Sequence, residues 1–174
     1  MILIVNGPCG VGKSTITKEL EQMFEDCAHI KADDVHCFIV NSQIIPEHVR
    51  MTDINIESLV KNFSENGFAN IIIDNVYETE EHLTQVKKGL SQYASEIYSI
   101  LLYCELSENI RRDKARDPDD VCGEKRVREL HEIMYKNKDL GAVFDTTVLS
   151  KEKVASDIYN WIFQKEGGEK DVFK

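Results

Sequence analysis

An α/β domain on a mainly parallel sheet is the fold class this sequence predicts, on three observations. Short apolar runs alternate with segments of helical spacing along nearly all of the 174 residues, as successive strand–helix units do. The first apolar run leads directly into Gly7-Pro8-Cys9-Gly10-Val11-Gly12-Lys13-Ser14, a complete G-x-x-x-x-G-K-S/T loop that works only between a strand and a helix. The chain is also long enough to bury one core without disulfide or metal staples.

Each element follows from local chemistry. Ile2, Leu3, Ile4, Val5 and Asn6 form the first strand. A helix over 13–26 places Ile16, Leu20, Met23 and Cys27 at core spacing. A short strand at 29–32 ends on Asp33-Asp34, residues 35–45 continue as helix or irregular chain, and Pro46 breaks them. Residues 52–66 form a helix with Ile56, Leu59, Val60 and Phe63 on one face, stopped by Gly67. Residues 70–74 make a buried strand around Ile71, Ile72 and Ile73, and 79–93 are helical, with Thr79 and His82 across the N-cap region. The strand at 97–106 is the longest, and its unbroken apolar character fits a central place in the sheet. Ser107 caps a helix reaching 116, Asp117-Pro118-Asp119-Asp120 interrupts it, and 123–138 resumes helix. A last short strand spans 142–145, and Ser150 opens a final helix whose face is Val154, Ile158, Trp161 and Ile162; residues 167–174 fray.

Composition narrows the class. The content is 42% apolar and 30% charged, ordinary for a globular chain, with a formal charge of −10 from 31 acids against 21 Lys and Arg. Such a surface repels a phosphate backbone, so nucleic acid is not an expected partner. Five cysteines, at 9, 27, 37, 104 and 122, are an odd number with no C-x-x-C pair. They predict reduced thiols in a cytoplasmic protein and no structural zinc site. Cys9 then reads as a small filler residue of the loop rather than a redox centre. The sequence opens on a strand, so no secretory leader is expected. No apolar run approaches the ~20 residues that span a bilayer, so no membrane partner is expected either.

The loop supplies the first chemistry. Gly7, Gly10 and Gly12 let the backbone curl so that N–H groups point inward at phosphate oxygens, where the following helix adds its positive end. Lys13 reaches the β- and γ-phosphates, and the Ser14 hydroxyl suits Mg²⁺. In open α/β sheets ligands collect at the carboxyl ends of strands, and acids stand at three of those ends: Asp33-Asp34, Asp74 and Asp145. Asp33 is placed to take or orient the proton of a hydroxyl acceptor, although the same pair would also cap the next helix. His36 reads as a surface histidine. Asp74 is placed to hold Mg²⁺. Asn75 follows it where hydrolytic relatives need a glutamate, and an amide is no base. Transfer to an organic acceptor therefore fits better than hydrolysis. Arg112 and Arg116, one turn apart in a cluster with Arg111 and Lys114, fit a lid that neutralises charge on the transferred group. A solvated helix balanced by Glu105, Glu108, Asp113 and Asp117 is the plain alternative. Asp145-Thr146-Thr147 either touches the nucleobase or is bonded within its own turn. Asn137-Lys138-Asp139 lacks the intervening residue of N-K-x-D and is rejected as a guanine-reading motif.

Through the loop at 7–15, Asp33 with His36 three places on, the run Ile71 to Asp74, the Arg112/Arg116 pair and Asp145-Thr146-Thr147, the sequence resembles the small P-loop phosphotransferases. These include gluconate kinase, shikimate kinase and chloramphenicol phosphotransferase, and the resemblance runs from residue 1 to about 162. It implies a three-layer P-loop NTPase fold, a five-stranded parallel sheet in the order 2-3-1-4-5 with helices on both faces. A single domain would cover 1–165, with a lid at about 112–126, an acceptor-binding region at about 33–66 and a frayed tail at 166–174. ATP and Mg²⁺ are implied, with Gly7, Cys9, Gly10, Val11, Gly12, Lys13, Ser14, Thr15, Arg112 and Thr147 at the nucleotide. Ser14 and Asp74 would hold the metal, and Lys13, Asp33, Arg112 and Arg116 would be catalytic. Where gluconate kinases carry basic and polar residues, Cys37-Phe38-Ile39-Val40 is apolar, and the stretch 41–53 offers only Glu47, His48 and Arg50 as polar anchors. A sugar acid and a neutral or partly apolar alcohol both stay open.

The expectation is thus an ATP-dependent phosphotransferase acting on a small-molecule hydroxyl, as a monomer or weak homodimer. Two other readings stand beside it: a nucleoside or nucleotide kinase of the same architecture, and a non-catalytic, ATP-dependent switch or toxin-like module with 37–45 as its docking surface.

Overall fold

Strand and helix alternate along the chain as the apolar pattern predicts, in a computed structural model that describes residues 1–41, 43–136 and 139–170, the last six as backbone only. The elements are β1 (Ile2–Asn6), α1 (Lys13–Glu21), β2 (Cys27–Lys31), α2 (Ala32–His36), α3 (Pro46–Glu65), β3 (Asn70–Asn75), α4 (Glu80–Leu90), β4 (Ile97–Tyr103), α5 (Leu106–Lys114), a 3₁₀ turn (Pro118–Asp120), α6 (Glu124–Lys136), β5 (Ala142–Asp145) and α7 (Lys151–Lys170). The five strands form one all-parallel sheet in the order β2-β3-β1-β4-β5. This is the P-loop NTPase topology that the family resemblance implied.

Period-two alternation in the strands decides the layers. Ile2, Ile4, Ile71 and Ile73 face a core shared with Ile56 and Val60 of α3, Leu83 and Leu90 of α4, and Leu130 and Met134 of α6. Leu3, Val5, Ile72, Ile100 and Leu102 face the other way, onto Ile16 and Leu20 of α1 and Val154, Ile158 and Ile162 of α7. Each fully buried Ile or Leu contributes about 1.5–3 kcal/mol. The sheet is therefore a rigid platform whose carboxyl edge carries the loops.

Several boundaries differ from expectation, each for a physical reason. Pro46 does not break a helix but begins α3, because a first-turn proline gives up no hydrogen bond. Helix α1 ends at Glu21 rather than 26; Gln22 and Met23 bond back to Glu19 and Leu20 in tightened turns, and Asp26 takes a left-handed φ of 45°. Ser107 lies inside α5 and does not cap it. The helix starts from Glu105, whose N–H donates to the Thr147 hydroxyl at 3.0 Å and whose carbonyl accepts from Asn109 at 2.8 Å. Strand β4 is interior, paired with β1 on one side and β5 on the other, as its unbroken apolar run predicts, and it ends at Tyr103 rather than 106. Thr79 caps α4, accepting from the His82 N–H at 3.3 Å. Helix α7 extends four residues beyond 166, and residues 171–174 lie outside the described residues, as do Asn137 and Lys138 of the rejected guanine motif.

Candidate active site

Side-chain bonds seat the glycine loop against the sheet. The Asn6 side chain, fully buried, accepts from the Gly7 and Tyr77 N–H groups at 2.9 Å each and donates to the Tyr77 carbonyl at 3.0 Å. It ties the start of the loop to the chain leaving β3. Gly10 (φ 75°) presses on α5; a Cβ there would meet the Asn109 carbonyl at 3.0 Å. Gly12 (φ 103°) precedes α1, and a side chain there would find nothing within 4 Å. The N-cap of α1 is Gly12, which brings no side-chain acceptor; its carbonyl takes the Thr15 and Ile16 N–H groups at 3.1 and 2.9 Å, and the open space beside it at the positive end of the helix suits an anion. Ser14 and Thr15 are exposed at this mouth.

Lys13 Nζ folds back on the loop, donating to the Gly7 carbonyl at 2.9 Å and the Pro8 carbonyl at 3.3 Å. Burial pulls its pKa below the ordinary lysine value; the charges of Asp74 and Asp33 oppose that pull, and Arg116 adds to it. In register, Asp74 pairs with Val5 on one side and Lys31 on the other, which puts the end of β3 beside the loop. The Ser14 hydroxyl donates to Asp74 Oδ2 at 3.0 Å. This hydroxyl–carboxylate pair fits Mg²⁺, which keeps several waters and takes the rest of its ligands from phosphates.

Asp33 sits in the first turn of α2, two residues beyond β2, with its side chain exposed. Asp34 points to solvent, 4.0 Å from Lys31. His36 is not a surface residue: it is half-buried and bonded through Nδ1 to the Thr52 hydroxyl at 2.8 Å, joining α2 to α3. Sequence spacing could not reveal this, because Thr52 lies sixteen residues on. Asn75 Oδ1 accepts from the Val76 N–H at 2.8 Å, so its side chain shapes the turn after β3.

The two arginines diverge. Arg112 Nη1 donates to the Thr146 hydroxyl at 3.1 Å, Nη2 donates to the Thr146 and Thr147 carbonyls at 2.8 and 3.2 Å, and Nε pairs with Glu108 at 2.8 Å. It thus braces the loop between β5 and α7. Thr146 is buried and donates to the Val11 carbonyl at 2.9 Å, while Thr147 N–H donates to Asp145 Oδ1 at 2.7 Å within its turn. Arg116, past the end of α5, lies 3.7 Å from Asp113 and 4.0 Å from the Cys122 sulfur.

Asp113 was counted only among the balancing acids, yet it is 1% exposed and accepts from the Cys122 and Gly123 N–H groups at 3.1 and 3.0 Å. It folds residues 115–123 back onto the loop. Cys9 and Cys122 are joined there as a disulfide across a separation of 113 residues. The expectation of reduced thiols throughout, with Cys9 as filler, is corrected. A missing C-x-x-C excludes only local pairing, and the fold brings distant thiols together.

Two hollows flank the sheet. One of about 160 Å³ lies between α3 and α4, lined by Arg50, Asp53, Glu57, His82 and Gln85 among others. His82 Nε2 meets Asp53 Oδ2 there at 2.7 Å, and that hydrogen bond raises the His82 pKa against the opposing effect of burial. The other, of about 330 Å³, is lined by Met1, Ile2, Phe68, Ile71 and Tyr93 at the amino ends of the strands, away from the phosphate loop.

Comparison with known proteins agrees with this fold. A family model described as AAA domain matches residues 3–134. Among solved structures, the tunicamycin resistance protein of Deinococcus radiodurans superposes with a TM-score of 0.72 at 16% identity, over 92% of this chain and 94% of that one. A gluconokinase from Sinorhizobium meliloti gives 0.65 at 11% identity over 93% and 95%. A shikimate kinase from Acinetobacter baumannii, solved with shikimate, gives 0.59 at 14% identity over 94% and 93%. At these identities the likeness is one of fold. No curated protein matches the sequence.

Proposed function

The chain belongs to the AAA-domain family, and from that premise we propose that it is an ATP-dependent kinase moving the γ-phosphoryl group to a hydroxyl of a small molecule. One observation carries the reading: the Ser14 hydroxyl donates to Asp74 beside Lys13, in a loop with open space at Gly12; the charges of Asp74, Asp33 and Arg116 acting on Lys13 support it. The loop N–H groups and the start of α1 would grip the phosphates, and Lys13 would exchange its carbonyl partners for phosphate oxygens. Mg²⁺ at Ser14 and Asp74 would neutralise charge on the phosphates. Asp33 would orient the acceptor hydroxyl and take its proton, and Arg116 would face the charge that builds on the transferred group. Arg112 would act through position, holding Thr146 and Thr147 as a wall of the nucleotide site. Shared fold with a gluconokinase and a shikimate kinase supports the kinase class.

The test is a screen of sugars, sugar acids, nucleosides and antibiotics with labelled ATP. Transfer to a hydroxyl is the expected result; hydrolysis alone, with no acceptor phosphorylated, would count against it. The switch reading draws on the exposure of Phe38 (74%), Val40 (84%) and Ile44 (77%). Tight ATP binding without turnover, plus a stable co-purifying partner, would select it.

A further inference from the structure

Three of the five cysteines are set apart from the other two. Cys27 is half-buried, with its thiol pushed up to about 11 by burial, Cys104 is buried, and Cys37 stands exposed on its own. Cys9 and Cys122 alone among the described residues are bonded to each other, and they join the phosphate loop to the segment between the 3₁₀ turn and α6. Cys122 is exposed, so a small reagent can reach it, and the Arg116 guanidinium lies 4.0 Å from its sulfur. The backbone is already poised for the bond. Asp113 holds the N–H groups of Cys122 and Gly123, and its own Cβ lies 3.2 Å from where a Gly10 side chain would begin.

We propose that Cys9 and Cys122 form a reversible thiol–disulfide modification site that latches the lid onto the phosphate loop, and that its reagent is a low-molecular-weight disulfide. The Cys122 thiolate attacks one sulfur of the reagent R–S–S–R, forming a mixed disulfide and releasing RS⁻. The Cys9 thiolate then attacks the Cys122 sulfur, forms the internal bond and expels the second RS⁻. The two protons lost by the cysteines end on the two released thiols. Two electrons pass from the protein to the reagent, and a reducing dithiol reverses both steps. The latch sits inside the glycine loop, so Cys122 and the chain beside it cannot swing away from Cys9 while it is closed. Its effect on nucleotide handling rests on the reading given under Proposed function.

The experiment uses the full chain, first reduced and then exposed to glutathione disulfide. Alkylation and peptide mapping should find Cys9 linked to Cys122, with Cys27 and Cys104 left as alkylatable thiols, and native reduction should reopen the link. Trypsin should cut at Arg116 at least about tenfold more slowly in the oxidised protein, because a closed lid must open first. A fluorescent ATP analogue should associate at least about tenfold more slowly, as expected when a lid gates entry. Cys122→Ser should show neither response to the oxidant. A linked protein that is cut and binds ATP as fast as the reduced form overturns the latch, as does a link that native reductants never open. If the reduced protein binds no ATP, the proposed function falls, and the mapping and proteolysis arms still decide the latch.

Discussion

The two halves of the rim are held in different ways. On the phosphate side nearly every group is clamped from a distant part of the chain: Asn6 to Tyr77, Val11 to Thr146, Arg112 to Thr147, Asp113 to Gly123. On the acceptor side α2 is five residues long, Asp33 and Asp34 are exposed, and Phe38, Val40 and Ile44 project outward. The ties described there are few, His36 to Thr52 and Gln43 N–H to His48 Nδ1 among them. The difference teaches where the fold spends its preorganisation. Under the proposed function a clamped cradle suits the phosphates, whereas the proposed acceptor side is a short helix seated through Ala32 and Val35, followed by a stretch that exposes Phe38, Val40 and Ile44.

The largest effect expected is on the rigid half. Lys13→Ala should lower phosphoryl transfer by about 10²–10³-fold, the loss typical of one preorganised charge at a reacting centre, read as kcat with saturating ATP. Activity within tenfold of wild type would mean that the cradle works without its cation. On the acceptor half, Asp33→Asn should cost about 10²-fold in kcat, as for a lost general base, with ATP affinity unchanged by calorimetry. Full activity would oblige Asp34 or Asp74 to replace it, and would erase the division of labour between the halves.

The same contrast explains what the sequence could reveal. Strand–helix alternation and the glycine loop are local signals, and they lead to the observed sheet and to Lys13, Ser14 and Asp74 at one edge. The clamps are not local. Asn6 and Tyr77 are 71 residues apart, Thr146 and Val11 135, Cys9 and Cys122 113, and no periodicity or spacing encodes such pairs. Asp113 has a legible signal only in hindsight, as an acid on the buried side of a charged helix. Glu105 and Pro46 show the same limit at element ends, where a tertiary bond or a first-turn proline shifts a boundary that propensity would place elsewhere.

Stability offers a sharper comparison of smaller size. Asp113→Ala removes the charged acceptor of two part-buried backbone hydrogen bonds, and should cost about 1–3 kcal/mol by urea unfolding under reducing conditions. Asp34→Ala removes an exposed partner 4.0 Å from Lys31 and should change stability by no more than about 0.5 kcal/mol. Equal losses at the two positions would mean that the acceptor half is as firmly held as the phosphate half.

The smallest effect is a pH dependence, and the titrating groups of the two halves are shifted in opposite directions. Lys13 has a lowered pKa through burial, so its ammonium is lost at a lower pH than that of an ordinary lysine, and triphosphate binding at alkaline pH should take up a proton. His82, on the acceptor side, has a pKa raised above 6.5, chiefly by its hydrogen bond to Asp53. A group with a raised folded-state pKa stabilises fully below its unfolded value and loses that contribution as pH climbs through the folded one. Wild type should therefore exceed Asp53→Asn in stability by the greatest margin near pH 6, where His82 is protonated. That margin should shrink as pH rises through the His82 titration, followed independently by the ring-proton NMR shift. A constant margin from pH 6 to 9 would mean that Asp53 supports α3 and α4 by packing alone, leaving the hollow between them without a proton-sensitive tie.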